Sequence, residues 1–395
     1  MSVASESISR RGRRRDGIFV RWIRRAFESA GIEVGGGRDC DPVVHDARVY
    51  AQVALRGSLG LGESYVDGLW DCADLGEFFR KLITWRNGRP RAWPLRLPSL
   101  AIDASFAVRN LQTRRRAREV VDVHYDLPAQ LFRYMLGPTM AYSCAYWKNA
   151  STLDDAQRQK LDLICRKLEL KPGERLLDIG CGFGSLSRHA AEHHGCEVVA
   201  VTLSEGQACI ARDRCAGLPV SIQVCDYRDV GRYSEGRRFD KIASIAMFEA
   251  IGRRNATRFM RIVHWLLEPR GLWLLHTIGT EQEGTDPWLN RYIFPNGELL
   301  GLDRIHAASR GLFRAEDLHN FGLDYAPTLA AWRGNFLRHW EEIRALDPQR
   351  FTDRFRRMWV YYLECSRGAF LARNNHLWQL VMSGPERSSP YHAAR

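Results

Sequence analysis

The sequence of 395 residues lacks a continuous apolar run of about 18 residues or more, the length that a transmembrane helix needs. Its amino terminus carries arginines but no apolar stretch followed by a small-residue cleavage site, so no secretory signal is predicted. The ten cysteines show neither a Cys-x-x-Cys pair nor the spacing of a zinc site. We therefore expect reduced thiols, no structural metal and a cytoplasmic protein.

Acidic residues are in the minority, with 46 Asp and Glu against 58 Lys and Arg, which gives a net charge of +12. The excess lies in two arginine clusters, at positions 10, 11, 13, 14, 15, 21, 24 and 25 and at positions 109, 114, 115, 116 and 118. Such clusters bind anionic lipid or nucleic acid, or they form a solvated tail. The charge alone does not choose between these interpretations.

The composition, 45% hydrophobic and 26% charged, is that of a globular chain long enough for two domains. We predict a basic, disordered tail over 1–16, a small helical domain over 17–88, a Pro- and Arg-rich linker over 89–120 and a catalytic domain over 121–395. The segment 18–27 has helical apolar spacing with a basic face. It is either a membrane-surface helix or an ordinary first helix packed on its own domain.

Strands and helices alternate in the second domain, which predicts an α/β, Rossmann-like fold with a parallel sheet covered on both faces. The predicted strands are 175–179, 197–202, 220–225, 241–247 and 272–277, and the predicted helices are 186–194, 205–214 and 257–267. Ligands of such sheets bind at the carboxyl ends of the strands. Polar residues fall at these ends, namely Asp178, Asp226, Tyr227, Glu249 and His276.

The segment 176–184, Leu-Leu-Asp-Ile-Gly-Cys-Gly-Phe-Gly, joins an apolar strand to a glycine-rich turn. Gly180, Gly182 and Gly184 lack a Cβ where the backbone must pass close to a ligand, and Ser185 is expected to begin the next helix. Asp-x-Gly-x-Gly-x-Gly is typical of enzymes that use S-adenosylmethionine. A plain tight turn and a dinucleotide loop are the alternatives.

The second predicted strand ends in Val-Thr-Leu-Ser, where adenosine-binding domains usually place a carboxylate for the ribose. Gln207 follows at the start of the next helix and offers both a donor and an acceptor to a diol. We therefore expect Gln207 to hold the ribose hydroxyls.

Several short motifs together resemble the cyclopropane-fatty-acyl-phospholipid synthases, which are related to the mycolic acid cyclopropane synthases. The resemblance covers nearly the whole chain after residue 16. Its motifs are Gly-Ser-Leu-Gly-Leu-Gly-Glu-Ser-Tyr at 57–65, His-Tyr-Asp at 124–126, Tyr-Ser-Cys-Ala-Tyr-Trp at 142–147, the glycine loop, Thr-Leu-Ser at 202–204, Asp-Tyr-Arg at 226–228, Phe-Glu at 248–249, His-Thr-Ile-Gly at 276–279, Tyr-Ile-Phe-Pro-Asn-Gly at 292–297 and Asn-Phe-Gly-x-Asp-Tyr at 320–325.

The resemblance implies that a methylene group derived from the S-adenosylmethionine methyl is transferred to the cis double bond of unsaturated acyl chains of membrane phospholipids. The resulting carbocation loses a proton to bound bicarbonate and closes a cyclopropane ring. The implied anion site consists of Cys144, Glu249, His276, the backbone of Ile278, and Tyr325. The implied cofactor site consists of Tyr142, Ser143, Asp178, Gly180, Gly182, Thr202, Gln207, Asp226 and Tyr227.

The family also implies a homodimer and peripheral association with an anionic bilayer at the inner face of the membrane, for which the arginine clusters would serve. Two positions depart from its pattern: Ala250 stands where histidine is usual, and Phe183 stands where tryptophan is usual. The first removes a possible hydrogen-bonding neighbour of the anion, and the second keeps an aromatic face.

Two alternatives stay open at this point. The first is methyl or methylene transfer to an unsaturated acyl chain without ring closure, because proton loss from a different carbon of the same cation gives another product. The second, more remote, is a nucleic-acid methyltransferase, although the chain lacks the Asn-Pro-Pro-Tyr and Pro-Cys motifs of such enzymes. No nucleic-acid partner is expected.

Overall fold

The computed structural model describes residues 17–88, 127–281 and 284–395. The predicted basic tail, the predicted linker and the His-Tyr-Asp motif at 124–126 lie outside the described residues. The N-terminal part consists of helices α1 (Ile18–Ser29), α2 (Arg48–Val66) and α3 (Leu75–Asn87), with a short hairpin of β1 (Val43–Val44) and β2 (Trp70–Asp71). Asp74 caps α3 by accepting from the Glu77 amide at 3.0 Å.

Two helices, α4 (Ala129–Leu136) and α5 (Leu153–Lys167), lead into the alternating region. There β3 (Arg175–Ile179), β4 (Glu197–Thr202), β5 (Val220–Val224), β6 (Phe239–Ile245) and β7 (Leu267–Thr280) alternate with α6 (Ser185–His194), α7 (Glu205–Arg214) and α8 (Ala256–Leu266). Short 3-10 helices follow β5, at Tyr227–Tyr233, and β6, at Phe248–Ala250 and Arg253–Asn255.

The C-terminal part contains α9 (Pro287–Tyr292), α10 (Leu302–Ser309), β8 (Arg314–Asn320), α11 (Tyr325–Arg338), α12 (Trp340–Leu346), α13 (Asp353–Leu371) and β9 (Asn375–Ser383), with a 3-10 turn at Gly322–Asp324. Thr352 caps α13 through the Phe355 amide at 3.4 Å. In the described part of the chain, no helix is both long and apolar enough to span a membrane.

The main sheet has seven strands in the order β5-β4-β3-β6-β7-β9-β8. Strands β3 to β7 pair in parallel, whereas β9 is antiparallel to both β7 and β8. The α/β fold is confirmed, and the antiparallel pair extends it at one edge. The strand order reverses between β3 and β6, so a crevice forms at their carboxyl ends.

Neighbouring strand residues point to opposite faces of this sheet. Leu176 and Val198 belong to one apolar cluster, which also contains residues of α5 and α6. Leu177 and Val199 belong to another, with residues of α8 and α10. Each face is therefore covered by helices, which explains the nearly continuous apolar sequence of β3 and β4.

A third cluster joins the N-terminal helices to the C-terminal ones. Helices α3 and α13 approach closely at Gly368, where an added Cβ would lie 2.3 Å from the Phe79 Cβ and 2.8 Å from the Gly76 carbonyl oxygen. The N-terminal helices thus share a hydrophobic core with α11 and α13. The proposed domain division stays a prediction.

Helix α1 packs on the rest of the chain with Ile23, Ala26 and Phe27, which are buried. The Phe27 ring meets the Phe78 ring edge-on at 5.6 Å. At its other face the helix exposes arginines, and 71% of Ile18 is exposed. One face of the segment 18–27 thus packs on the rest of the chain, as the packed-helix interpretation requires. The opposite face exposes arginines, and the first turn exposes apolar side chains.

The contact at Gly368 can be tested by adding one methyl group. We expect Gly368→Ala to lower the free energy of unfolding by about 1–3 kcal/mol, because the Cβ has to displace backbone of α3. The matched control is Gly334→Ala in α11, where an added Cβ meets nothing within 4 Å. That variant should gain up to about 1 kcal/mol from helix propensity. Urea unfolding of both variants decides the point, and an unchanged Gly368→Ala midpoint would contradict the close packing.

Candidate functional site

A cavity of about 190 Å³ opens at the carboxyl ends of the parallel strands. All the residues expected to form the cofactor site lie in its wall, namely Tyr142, Ser143, Asp178, Gly180, Gly182, Thr202, Gln207, Asp226 and Tyr227. The wall also includes Phe183 and Ala250, the two departures from the family pattern. The sequence motifs therefore converge on one cavity, at the position that the strand order predicts.

The glycine loop between β3 and α6 adopts left-handed backbone conformations, with φ of 87° at Gly180, 54° at Gly182 and 76° at Gly184. A Cβ on Gly180 would lie 2.7 Å from the Met247 side chain, and one on Gly184 would lie 3.0 Å from the Ala211 Cβ. A Cβ on Gly182 would meet nothing within 4 Å. Gly180 and Gly184 are thus required by packing, whereas Gly182 leaves room at the cavity wall.

Helix α6 begins at Ser185, as expected, but Gly184 occupies the N-cap position and makes no side-chain cap. The Ser185 hydroxyl instead donates to the Thr139 carbonyl oxygen at 2.7 Å. Ser185 therefore ties the glycine loop to the segment that precedes Tyr142.

Asp178 at the end of β3 is buried, and its Oδ2 accepts from the Ser187 hydroxyl at 2.7 Å. Burial raises the pKa of this carboxyl to about 6. At the end of β4, the Thr202 hydroxyl donates to the Gln207 Oε1 at 3.0 Å. Ser204 caps α7 by accepting from the Gln207 backbone amide at 3.2 Å. The cap fixes the Gln207 backbone, and the bond to Thr202 orients its side chain at the cavity wall.

Asp226 follows β5 and is held by its neighbour Arg228, whose Nη1 lies 2.8 Å from the Asp226 Oδ2. The Arg228 guanidinium also lies over the Tyr227 ring at 4.4 Å. The Tyr227 ring also meets the ring of Phe259, a residue of α8, edge-on at 5.3 Å. The Asp226 carboxylate is thus ion-paired with Arg228, and the Tyr227 ring is held by contacts with Arg228 and Phe259.

The residues expected to hold the anion lie outside the cavity wall, in a neighbouring buried region. Glu249, in the 3-10 helix after β6, accepts from the Ile278 backbone amide of β7 through its Oε1 at 2.6 Å. Its Oε2 is buried and has no hydrogen-bond partner among the described residues. Burial raises the pKa of Glu249 to about 7, although the Ile278 amide opposes the shift.

His276 on β7 is fully buried. Its Nδ1 lies 3.2 Å from the Gln379 Nε2, and in this orientation of the Gln379 amide the proton of the neutral ring lies on Nε2. That Nε2 is buried and has no hydrogen-bond partner among the described residues. Burial, assisted by the charges of Lys160 and Lys167, holds the pKa of His276 well below its ordinary value. The neutral His276 ring can therefore donate a hydrogen bond from Nε2 to a group outside the described residues.

Cys144 and Tyr325 belong to the third hydrophobic cluster, and Ile278 packs against the same cluster. Cys144 is fully buried, and burial holds the pKa of its thiol well above the ordinary value, so the thiol is neutral. The adjoining Ala145 amide donates to the Thr328 hydroxyl of α11 at 3.2 Å. Tyr325 begins α11 and stacks on Phe370 at 4.4 Å.

Phe321 connects this outer segment to the sheet. Its ring meets the His276 ring at 5.9 Å and the Tyr146 ring at 5.3 Å. The structure thus places Glu249 in direct contact with Ile278, with His276 nearby on the same strand as Ile278. The Phe321 and Tyr146 rings connect His276 to the segments that carry Tyr325 and Cys144, and the roles of Cys144 and Tyr325 stay predictions.

Lys160 of α5 is a site residue that the sequence analysis missed. Its side chain is 1% exposed and lines the cavity, and its Nζ donates to the Ser143 hydroxyl at 2.9 Å. Within the described residues it forms no ion pair. Burial lowers the pKa of Lys160 to about 8. The sequence contains one signal for this role: Lys160 lies on the apolar face of its helix, one turn from the buried Ala156 and one turn from the buried Ile164.

Comparison with known proteins gives the family. A family model described as mycolic acid cyclopropane synthetase matches residues 112–380. The cyclopropane-fatty-acyl-phospholipid synthase of Escherichia coli (strain K12) is 44% identical over 367 residues, which cover 92% of this chain and 93% of that protein. The chain belongs to the mycolic acid cyclopropane synthetase family.

Other relatives agree with this assignment. Tuberculostearic acid methyltransferase UfaA1 of Mycobacterium tuberculosis is 32% identical, covering 85% of this chain and 81% of that protein. The solved cyclopropane synthase MmaA2 from Mycobacterium tuberculosis has a TM-score of 0.62 and 27% identity, covering 70% of this chain and 100% of that one. Mycolic acid cyclopropane synthase CmaA1, complexed with SAH and CTAB, has a TM-score of 0.60 and 28% identity, covering 67% and 98%. The predicted family, fold and methyltransferase class are confirmed.

Proposed function

We propose that the protein transfers a methylene group, derived from the methyl group of S-adenosylmethionine, to the cis double bond of an unsaturated acyl chain in a membrane phospholipid and closes a cyclopropane ring. The observation that carries this proposal is the 44% identity, over nearly all of both chains, to the Escherichia coli enzyme named for this synthesis. The cavity adds support, because its wall contains the residue types that an adenosyl cofactor requires.

Each part of the cofactor would have residues to hold it in the cavity wall. The glycine loop, Tyr142 and Ser143 would hold the methionyl group. Thr202 and Gln207 would hold the ribose, and Asp226 and Tyr227 would hold the adenine. When bound, the sulfonium cofactor supplies an electrophilic methyl group.

Lys160 supplies the counter-charge for the methionyl carboxylate in this proposal. The Asp178 carboxylate attracts the buried Lys160 ammonium but forms no ion pair with it within the described residues, and a ligand carboxylate would compensate the burial further. Its Nζ donates one hydrogen bond, to Ser143, and two donors remain. Ser143 and Lys160 therefore form a ready carboxylate site at the methionyl end of the cavity.

The proton acceptor is proposed to be bicarbonate, held next to the cavity. Two buried atoms support this, because the described residues leave them without a hydrogen-bond partner: the Glu249 Oε2, an acceptor, and the His276 Nε2, a donor. Bicarbonate has both a hydroxyl and anionic oxygens, so it matches this pair. Ile278 already donates to Glu249 at 2.6 Å, so its backbone amide orients the carboxylate. When bound, bicarbonate supplies a base that takes the proton from the new methyl group.

Aromatic rings surround the part of the site at which the acyl chain would receive the methyl group. The Tyr142 ring lies 5.6 Å from Phe132 and 5.3 Å from Trp332, and Phe132 lies 5.4 Å from Phe183. Such rings exclude water, which would trap a carbocation, and their faces attract positive charge. Phe183 thus keeps the aromatic wall in place of the usual tryptophan.

Transfer without ring closure is the second candidate. The relative named tuberculostearic acid methyltransferase UfaA1, at 32% identity, favours it. Ala250, next to Glu249 in sequence, lines the cavity. Unlike the histidine that is usual in the family, its side chain cannot form a hydrogen bond to the anion. The greater identity to the Escherichia coli synthase favours ring closure.

Access to lipid is proposed to occur from the membrane surface. Helix α1 exposes Arg21, Arg25, Ile18 and Phe19 together. Each basic residue near an anionic bilayer contributes about 1 kcal/mol. We propose peripheral association with the inner face of the membrane from the cytoplasm. The homodimer stays a prediction.

The cofactor cavity is tested at Gly182. We expect Gly182→Val to abolish binding of S-adenosylhomocysteine, measured by calorimetry, because the side chain enters the cavity. Gly236→Val is the matched control, since Gly236 has φ 73° and an added Cβ there also meets nothing within 4 Å. Both variants carry strain of about 1–3 kcal/mol, but only the first should lose binding. Unchanged affinity in Gly182→Val would show that the site is misplaced.

The carboxylate site is tested with two ligands. We expect Lys160→Met to weaken binding of S-adenosylhomocysteine by at least about tenfold, which corresponds to about 1.4 kcal/mol. Binding of 5′-methylthioadenosine, which lacks the amino-acid group, should hardly change. An equal loss for both ligands would mean that Lys160 serves the fold alone. Wild type that binds neither ligand would contradict the cofactor assignment itself.

The acceptor role of Glu249 requires its ionised form. Since burial places its pKa at about 7, turnover should fall as the pH drops through about 7. Glu249→Gln should lose turnover by about 100-fold or more at pH 8 while retaining cofactor affinity. A raised folded-state pKa makes ionisation unfavourable for folding, so this variant should be no less stable than wild type at pH 8. Near-normal turnover in a methyl-incorporation assay would remove Glu249 from the mechanism.

Membrane binding is tested on vesicles. We expect Arg21→Glu/Arg25→Glu to weaken sedimentation with anionic vesicles, and the wild-type interaction to weaken with salt, because screening acts over about 8 Å at physiological ionic strength. The control is Arg232→Glu/Arg237→Glu, whose side chains are 77% and 58% exposed near the amino end of β6, opposite the cavity. Equal binding to neutral and anionic vesicles at low salt would contradict the electrostatic contribution.

A further inference from the structure

Three metal-ligating side chains meet outside the cavity and its catalytic neighbours. Cys165 belongs to α5, and His189 and His194 belong to α6. The Cys165 Sγ and one ring nitrogen from each histidine all lie within 4.8 Å of one another. Helices α5 and α6 pack side by side, so the cluster joins two elements that are distant in sequence.

The burial of these groups points to a ligand. Cys165 is fully buried. The His189 Nε2 is buried and has no hydrogen-bond partner among the described residues. Leaving such a nitrogen unpaired is unfavourable, and coordination to a cation satisfies it. The His189 ring is also in contact with the His193 ring at 4.6 Å and with the His194 ring at 5.9 Å, which limits its orientation.

We propose that Cys165, His189 and His194 form a zinc site. Zinc accepts both thiolate and imidazole ligands, and three protein ligands leave the fourth tetrahedral position for water. Binding forms one Zn–S and two Zn–N bonds, and the Cys165 thiol proton passes to solvent.

The position of the site suggests its effect on the protein. Helix α6 follows the glycine loop, and α5 carries Lys160. A bound ion would connect these two helices behind the cavity without entering it. The expectation of no structural metal rested on cysteine spacing along the sequence, whereas this donor set comes from two helices and contains a single cysteine.

The test uses the full chain without a histidine tag, reduced and freed of metal with a chelator. Cobalt(II) serves as the optical probe. We expect binding of one equivalent with a thiolate-to-cobalt absorption band in the near ultraviolet, and loss of that band when zinc(II) is added. Cys165→Ser should lose the band, and His189→Gln should need a higher cobalt concentration. A wild-type protein without the band, or a Cys165→Ser protein that keeps it, would overturn the proposal.

The matched controls are Cys209→Ser and His306→Gln, because both side chains are exposed and lie away from the cluster. Both should keep the band. Thermal unfolding covers the case in which Cys165→Ser does not fold. Zinc should raise the melting temperature of wild type and of both controls, but not that of His189→Gln. No zinc-dependent rise in wild type would contradict the site.

Discussion

The site depends on shielded polar groups that the described residues do not fully pair. Lys160 and His276 are buried around the carboxyl edge of the sheet, Glu249 is half-buried with its Oε2 shielded, and each retains hydrogen-bonding capacity that the described residues do not use. Such burial is unfavourable in the folded chain alone. The arrangement is understandable if ligands complete it: a carboxylate at Lys160, and an anion between Glu249 and His276. The same burial would exclude water from the carbocation of the proposed reaction.

The fold can hold these groups because several distant segments meet at one edge. The reversal of strand order between β3 and β6 opens the crevice. The segment around Cys144 is bound to α11 through Thr328, and Phe321 packs against His276. The N-terminal helices pack on α13, so they support the C-terminal helices that line this side. Positioning the site therefore involves nearly the whole described chain.

Much of this arrangement could be predicted from local sequence. The strands at 175–179 and 197–202 agree with β3 and β4, because continuous β-branched and apolar residues between turn residues are a strong signal. The strand β8 was not predicted, since Arg-Ala-Glu-Asp-Leu-His-Asn shows no apolar pattern and pairs only at the sheet edge. The residues that line the cavity were predicted from motifs at strand ends and from the family resemblance. Lys160 and the Cys165 cluster were missed because their significance lies in burial and in contacts between helices.

The central claim, transfer to an alkene followed by ring closure, is tested most directly by isotope labelling. The purified protein is supplied with S-adenosylmethionine carrying a fully deuterated methyl group and with vesicles of a cis-unsaturated phospholipid, and the acyl products are analysed by mass spectrometry. Ring closure by proton loss from the new methyl group predicts a cyclopropane that has lost one deuterium of that group. A methyl-branched product that retains the whole deuterated methyl group, or no labelled lipid at all, would contradict the account.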